Sequence, residues 1–403
     1  MKNSLFGLPE KVIHCKKCLM TNQKPFSMNE TKNQDNQKKG MTIFPDGICA
    51  ACKYSEEKNQ TIDWKKREKL LKKKLDKYRR NDGRYDCIVS GSGGKDSSSV
   101  SHILKYKYNM NPLTVTYSPI LYTDIGWKNI RAWIQEGGFD NILFTPNGKV
   151  SSVLAKEAFQ NLLHPLQPFK FGIKTIAAKM AIKYDIKLVM FGEPYAEYGS
   201  QETSDTLSPS YNEDWFVDDG KNLFLGGLSI KEIKKKYPWI SNADLSAYLP
   251  MKSKDLKNKK LAVEFLGWYI KWNPQEMYYY AVENCGYNPD NQRTDGTHAK
   301  YVGVDDKFEW LHFYCSYIKF GIGRCRFDTC QEIRSGHITR EEAIQLCKKF
   351  EGEYPQRYLE DVYKFMGLSY KEAMKIIDSF RSPHLWKKIN NKWVRKQELK
   401  EII

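Results

Sequence analysis

The run Ser90-Gly91-Ser92-Gly93-Gly94-Lys95-Asp96-Ser97 is the densest cluster of chemistry-bearing residues in this 403-residue chain. Small residues let a backbone turn sharply and aim several N–H groups at one anion, and a helix that starts directly afterwards adds its positive end at the same spot. Lys95 supplies a point charge, Ser92 and Ser97 supply hydroxyl donors, and Asp96 offers oxygens suited to a magnesium ion that bridges phosphate oxygens. The order Gly-Gly-Lys-Asp-Ser departs from the Walker loop, in which Ser or Thr follows the lysine directly. The string therefore reads as a pyrophosphate cradle; a plain strand-to-helix turn is the alternative.

Two cysteine pairs precede it. Cys15-x2-Cys18 and Cys49-x2-Cys52 have the knuckle spacing of a zinc ribbon, in which four thiolates hold one structural Zn2+ in place of a hydrophobic core. An iron–sulfur cluster or a redox pair would use the same residues. The other six cysteines lack a partner at that spacing and read as small core residues. Between the pairs, Asn29–Gly40 is polar and free of aliphatic residues, which predicts a solvated loop.

Something must position these groups. From Tyr85, β-prone runs at Cys87–Ser90, Leu113–Tyr117, Asn141–Thr145 and Lys187–Phe191 alternate with helical patterns at Ser98–Tyr108, Trp127–Gln135, Val150–Leu162 and Ile173–Tyr184. That alternation predicts an α/β fold with a parallel twisted sheet, and a ligand site at the carboxyl ends of the strands. A further strand is expected at Phe265–Ile270, and Thr339 and Ser369, each followed by acids, predict helix starts in the tail. The division expected is a cysteine module (1–60), a basic linker helix (61–84), an α/β nucleotide domain (85–205) and a mainly helical C-terminal region (206–403) that completes the substrate site.

Net charge is +17, a field that attracts anions of any kind, although compositional bias alone produces the same excess of lysine. The basic stretch Trp64–Arg80 reads either as a solvated helix face or as a nucleic-acid contact. The longest apolar run is about half of the roughly 20 residues that span a bilayer, so no membrane span is expected. The opening residues lack an apolar export segment, so a cytoplasmic address is expected.

At the end of a first strand, Ser-Gly-Gly-Lys-Asp-Ser resembles the PP-loop of the N-type ATP pyrophosphatases, whose fold is the adenine nucleotide alpha hydrolase-like type. That resemblance implies ATP bound by Ser90, Gly91, Ser92, Gly93, Gly94, Lys95 and Ser97, with Lys95, Asp96 and Ser97 acting in catalysis. It also implies Val115, Thr116 and Tyr117 as nucleoside contacts on the next strand, though buried strand residues would look the same. Gly192 and Glu193 follow the fourth strand at the mouth of the same crevice. Glu193 is expected to assist Mg2+ or hold an amine, or else to form a salt bridge.

The chain as a whole is similar to the N-acetyl sugar amidotransferases, through the cysteine module, Val89–Ser97, Gln167-Pro168-Phe169, Phe191–Gly199, Leu266–Ile270, Lys319–Arg324 and Ile333–Ala343. The resemblance implies that the acetamido oxygen of a bacterial surface sugar, free or nucleotide-linked, is adenylated and replaced by ammonia. An acetamidino group, AMP and pyrophosphate result. Glu197, Tyr198 and Arg324 are the expected substrate contacts; loop polarity or a structural ion pair is the alternative for them. It further implies ammonia from a separate glutaminase subunit, with a cyclase-like barrel companion. The rival reading is a PP-loop tRNA-modifying enzyme, thiolating or lysidine-type. The thiolating kind needs a cysteine pair between Cys87 and Cys285, where this chain has no cysteine, so nucleic acid is not expected as a partner.

Overall fold

The computed structural model describes residues 4–25, 40–199, 207–211, 213–220, 223–257 and 259–396. The expected polar loop therefore lies, Gly40 apart, outside the described residues. Four parallel strands appear where alternation placed them: β1 (Cys87–Ser90), β2 (Pro112–Tyr117), β3 (Asn141–Phe144) and β4 (Leu188–Phe191). After a two-residue hairpin, β5 (Phe224–Leu225) and β6 (Leu228–Ser229), comes β7 (Ala262–Phe265), which completes a five-stranded parallel sheet in the order β3-β2-β1-β4-β7. Every residue of β2 is buried, as a strand covered on both faces requires.

The fifth strand differs from expectation. Phe265–Ile270 reads as β-prone because of its aromatic and branched residues, but the strand ends at Phe265 and Leu266–Tyr269 turns into one helical turn. Tertiary packing overrides propensity here: the Gly267 N–H donates to the Gly192 carbonyl (3.0 Å), and a Cβ on Gly267 would stand 2.9 Å from that oxygen.

The helices of eight residues or more are α1 (Ala50–Gln60), α2 (Trp64–Tyr78), α3 (Lys95–His102, continued by a π-helical turn, Ile103–Lys107), α4 (Asp124–Gln135), α5 (Gly148–Leu162) and α6 (Gln167–Lys183). Further along lie α7 (Pro274–Cys285), α8 (Phe308–Phe320), α9 (Arg324–Ser335), α10 (Arg340–Phe350), α11 (Leu359–Met366) and α12 (Tyr370–Ser379). Capping boxes at Thr339 and Ser369 start α10 and α12, as their sequences predict. Basic α2 buries Leu71 and Leu75, lays Arg67 over Trp268 (4.1 Å) and pairs Lys74 with Glu264 (2.7 Å), while Leu70 stays exposed. No helix among the described residues is long and apolar enough to cross a membrane.

Serine-rich α3 is the key to one face. Ser98, Ser99 and Ser101 are buried, and their small side chains let α7 approach closely, with Ser99 Oγ donating to the Met277 carbonyl (2.9 Å). The order of the sheet puts its switch point between β1 and β4, since the chain runs outward from β1 through β2 to β3 and then returns to the other side. The carboxyl ends of those two strands open the crevice in which α/β sheets bind ligands.

Candidate active site

At the end of β1 the Gly91 N–H donates to the Val115 carbonyl on β2 (3.0 Å), and the chain then bends away from the sheet. Gly91 has no room for a side chain, because a Cβ would sit 2.0 Å from Ser97 Cβ. Gly93 adopts φ +79°, and its Cβ would stand 2.7 Å from Ile130 Cα on α4. Gly94 is the N-cap of α3 and offers no capping side chain. The first-turn N–H groups of Lys95, Asp96 and Ser97 precede the first intrahelical bond, Ser98 N–H to the Gly94 carbonyl (3.1 Å), so they are available for an anion.

This bend forms one wall of a cavity of about 300 Å³. Ser92, Gly94, Lys95 and Asp96 face it from the loop, Glu193 and Tyr198 from the segment after β4, and Arg324 from the start of α9. Lys95 Nζ holds both carboxylate oxygens of Asp96 (2.7 and 2.8 Å). The Tyr198 hydroxyl donates to Glu193. Desolvation, and then the charge of Asp96, push the Glu193 carboxyl up to about 7. Arg324 is held between Asp328 (Nε to Oδ1, 2.8 Å) and the ring of Phe313 (4.5 Å).

Other nominated residues lie behind the walls. Ser90, Gly91, Gly93, Ser97 and Gly192 do not line the cavity; Ser97 Oγ donates to the Gly94 carbonyl (3.1 Å) and so shapes the bend from within. Val115, Thr116 and Tyr117 are buried in the sheet, where Thr116 accepts from Asn141 (3.1 Å) and Tyr117 packs on Phe144 and Phe169. Glu197 is buried with Lys58, whose Nζ donates to both its carboxylate oxygens (2.7 and 2.9 Å) and to the Trp272 carbonyl (3.1 Å). That pair ties α1 of the cysteine module to the segment after β4.

The cavity also draws on residues without a motif. Asn129 and Asp305 close one side and Gln331 and Glu332, on α9, another. Asn129 also clamps the backbone of Asn288 in both directions (2.8 and 2.9 Å). Only the Gly303-Val304-Asp305-Asp306 turn carried a sequence signal, paired acids behind a glycine.

The four module cysteines are buried together, with their sulfurs all within 4.8 Å of one another. Cys15 and Cys52 stand 3.9 Å apart, and Cys18 and Cys49 3.7 Å. Four thiolates around one zinc ion at the usual bond length lie about 3.8 Å apart, so the cluster fits a tetrahedral Zn2+. The Cys15 sulfur accepts the N–H groups of Cys18 (3.5 Å) and Cys49 (3.2 Å), which fixes both knuckles around it. Leu19, Met20 and Met41 of this module share a core with Phe320, Ile322, Cys330 and Ile344 from the C-terminal helices. Beneath that core Arg326 and Glu351 form a fully buried ion pair (2.6 Å).

No curated protein sequence matches the chain. Residues 296–400, a segment that supplies Arg324, Gln331 and Glu332 to the cavity, match the family model described as LPS biosynthesis protein WbpG-like, C-terminal domain, which links this part of the chain to lipopolysaccharide sugar biosynthesis.

Proposed function

We propose that the chain is an ATP-dependent, AMP-forming amidotransferase of the PP-loop type that converts the acetamido group of a bacterial surface sugar into an acetamidino group. The observation that carries this reading is the convergence, at the switch point between β1 and β4, of the Ser92–Asp96 bend, Glu193 and the matched C-terminal segment on one cavity. The link to lipopolysaccharide sugars favours this acceptor over tRNA.

An amide carbon is a weak electrophile with a poor leaving group. In the proposed reaction the acetamido oxygen attacks the α-phosphorus of ATP, the bond to the β-phosphate breaks, and pyrophosphate departs. Ammonia then adds to the activated carbon, the C–O bond to AMP breaks, and loss of protons leaves the amidine. The N–H groups of the bend and Lys95 neutralise the departing pyrophosphate, a role for prepositioned donors and charge. Asp96 and Asp305 suit a magnesium ion, which would screen the triphosphate. Glu193, with its raised pKa, is placed to accept a proton from ammonium or from the adduct near neutral pH.

Ser90, Gly91, Gly93 and Ser97 shape the cradle under this reading, and Gly192 and the Val115–Tyr117 strand support it from the sheet. Tyr198 and Arg324 face the acceptor. The proposed catalytic unit starts at residue 85 and draws its fifth strand from residues 262–265, inside the C-terminal region. A separate glutaminase in the cytoplasm, with a cyclase-like barrel companion, would supply ammonia.

Mass spectrometry of acetamido sugars incubated with enzyme, ATP, Mg2+ and ammonium tests the proposal. Replacement of O by NH, together with AMP formation, supports it. ATP cleaved only to ADP and phosphate in the presence of every acetamido sugar tried would refute it.

A further inference from the structure

A second chamber of about 260 Å³ adjoins the first, and the two share Tyr198, Arg324, Asp328 and Gln331. Their charges are opposite. The first is lined by five carboxylates, Asp96, Glu193, Asp305, Asp328 and Glu332, against the cations Lys95 and Arg324. The second has Lys24, Lys170, Arg324 and Arg334 against a single carboxylate, Asp328, which is already paired with Arg324. An anion entering the first chamber needs a divalent metal ion to offset those carboxylates, whereas the second can hold an anion directly.

The second chamber is also built, not merely basic. The cysteine module contributes Lys24, Met20 and Met41, α6 contributes Lys170, and α8 and α9 contribute Phe313, Phe327 and Arg334. Lys24 Nζ is fixed by the Tyr198 carbonyl (3.1 Å) and sits over the rings of Tyr198 (5.3 Å) and Phe327 (5.0 Å). The Nη1 group of Arg334 is buried and lacks a hydrogen-bond partner among the described residues, the state of a donor awaiting an acceptor. Burial, and then the like charge of Arg334, hold the Lys24 ammonium down to about 8, although the thiols of Cys330, Cys49 and Cys18 pull the other way.

We propose that this chamber is the acceptor subsite, in which Lys24, Lys170 and Arg334 hold the carboxylate or diphosphate of an acidic acetamido sugar while its acetamido group reaches past Arg324 and Tyr198 to the nucleotide. The proposal rests on the first chamber being the ATP site. The cysteine module then serves more than folding, since it supplies one wall and one cation of the substrate pocket. The two chambers together fall in the range of about 300–1,000 Å³ common for small-molecule sites.

Calorimetric titration separates the possibilities. The probes are N-acetylneuraminic acid for a carboxylate, UDP-N-acetylglucosamine for a diphosphate, and neutral N-acetylglucosamine as the control. They are titrated into the full chain and into Lys24→Gln, Lys170→Gln and the double variant, with thermal melting as the check on folding. At least one anionic probe is expected to bind about tenfold or more tightly than the neutral sugar, and to lose roughly tenfold for each cation removed. The anionic probe that responds identifies the group the chamber takes. Mg·ATP affinity should stay within about twofold of the parent, since neither lysine lines the first chamber. Anionic probes that bind no better than the neutral sugar, or equally well to the folded single variants, overturn the proposal. Mg·ATP that fails to bind the parent chain counts against the nucleotide reading instead, and the sugar titrations still decide this one.

Discussion

Two adjacent glycines in the bend should respond to the same substitution in opposite ways. In Gly93→Ala the new Cβ would lie 2.7 Å from Ile130 Cα and 2.9 Å from both Asn129 O and Ile130 N, all backbone atoms of α4. That helix cannot retreat, because Ile130 and Trp133 are buried beneath it. The left-handed φ of +79° costs an alanine roughly 1–2 kcal/mol, and overpacking against backbone adds about 1–3 kcal/mol, for a total of roughly 2–5 kcal/mol. In Gly94→Ala the Cβ meets only Ser92 Oγ, at 3.7 Å, and φ is an ordinary −67°, so the fold should lose under about 1 kcal/mol. Its methyl would nevertheless stand at the cavity wall, where a phosphate must touch backbone N–H groups. Thermal melting and Mg·ATP calorimetry on both variants check the contrast. Gly93→Ala should melt several degrees lower, whereas Gly94→Ala should melt near the parent yet bind nucleotide at least about tenfold more weakly. Parental melting of Gly93→Ala would refute the packing argument, and full nucleotide affinity of Gly94→Ala would refute the assignment of the cradle.

Other expectations concern charge and metal. Glu193 has a folded pKa of about 7 against an ordinary 4.5, so the folded state binds the extra proton and stability falls as pH rises through that window. Glu193→Gln should flatten this part of the stability profile, and denaturant titrations between pH 4.5 and 7 that coincide for the two proteins would contradict it. Glu197→Ala leaves the Lys58 ammonium buried without its carboxylate and should cost about 3–5 kcal/mol, most of it recovered in Lys58→Met/Glu197→Leu; urea midpoints read both. Elemental analysis should find one zinc per chain, and Cys49→Ser should both release it and lower the melting temperature, because the module shares its core with α9 and α10. Iron with a visible absorption band would mean a different cluster.

The parallel sheet was legible because its signals are local. Runs such as Leu113–Tyr117 and Lys187–Phe191 are short, branched and bounded by polar turns, and the glycine-serine string marks one strand end by itself. The four cysteines were equally plain, since metal knuckles are written in two-residue spacing. Phe265–Ile270 misled because what bends Gly267 is the Gly192 carbonyl, 75 residues away in sequence. Glu197 looked like a cavity residue by its neighbours Glu193 and Tyr198, yet a buried lysine from α1 claims it, and periodicity does not reveal such a partner. Asn129, Gln331 and Glu332 sit in segments with no spacing rule, and they meet Asp305 only because α4, the 303–306 turn and α9 converge. Val115–Tyr117 occupy the strand expected for them, but with their side chains inside the sheet and the cavity beyond them.

A crystal structure of the chain with Mg2+ and the α,β-methylene analogue of ATP decides whether the bend after β1 holds the nucleotide. The β- and γ-phosphates are expected against the first-turn N–H groups of α3, with Lys95 drawn from Asp96 to the phosphates and the α-phosphate turned toward Arg324 and Tyr198. An analogue lodged elsewhere, with the Lys95–Asp96 pair intact, would contradict it.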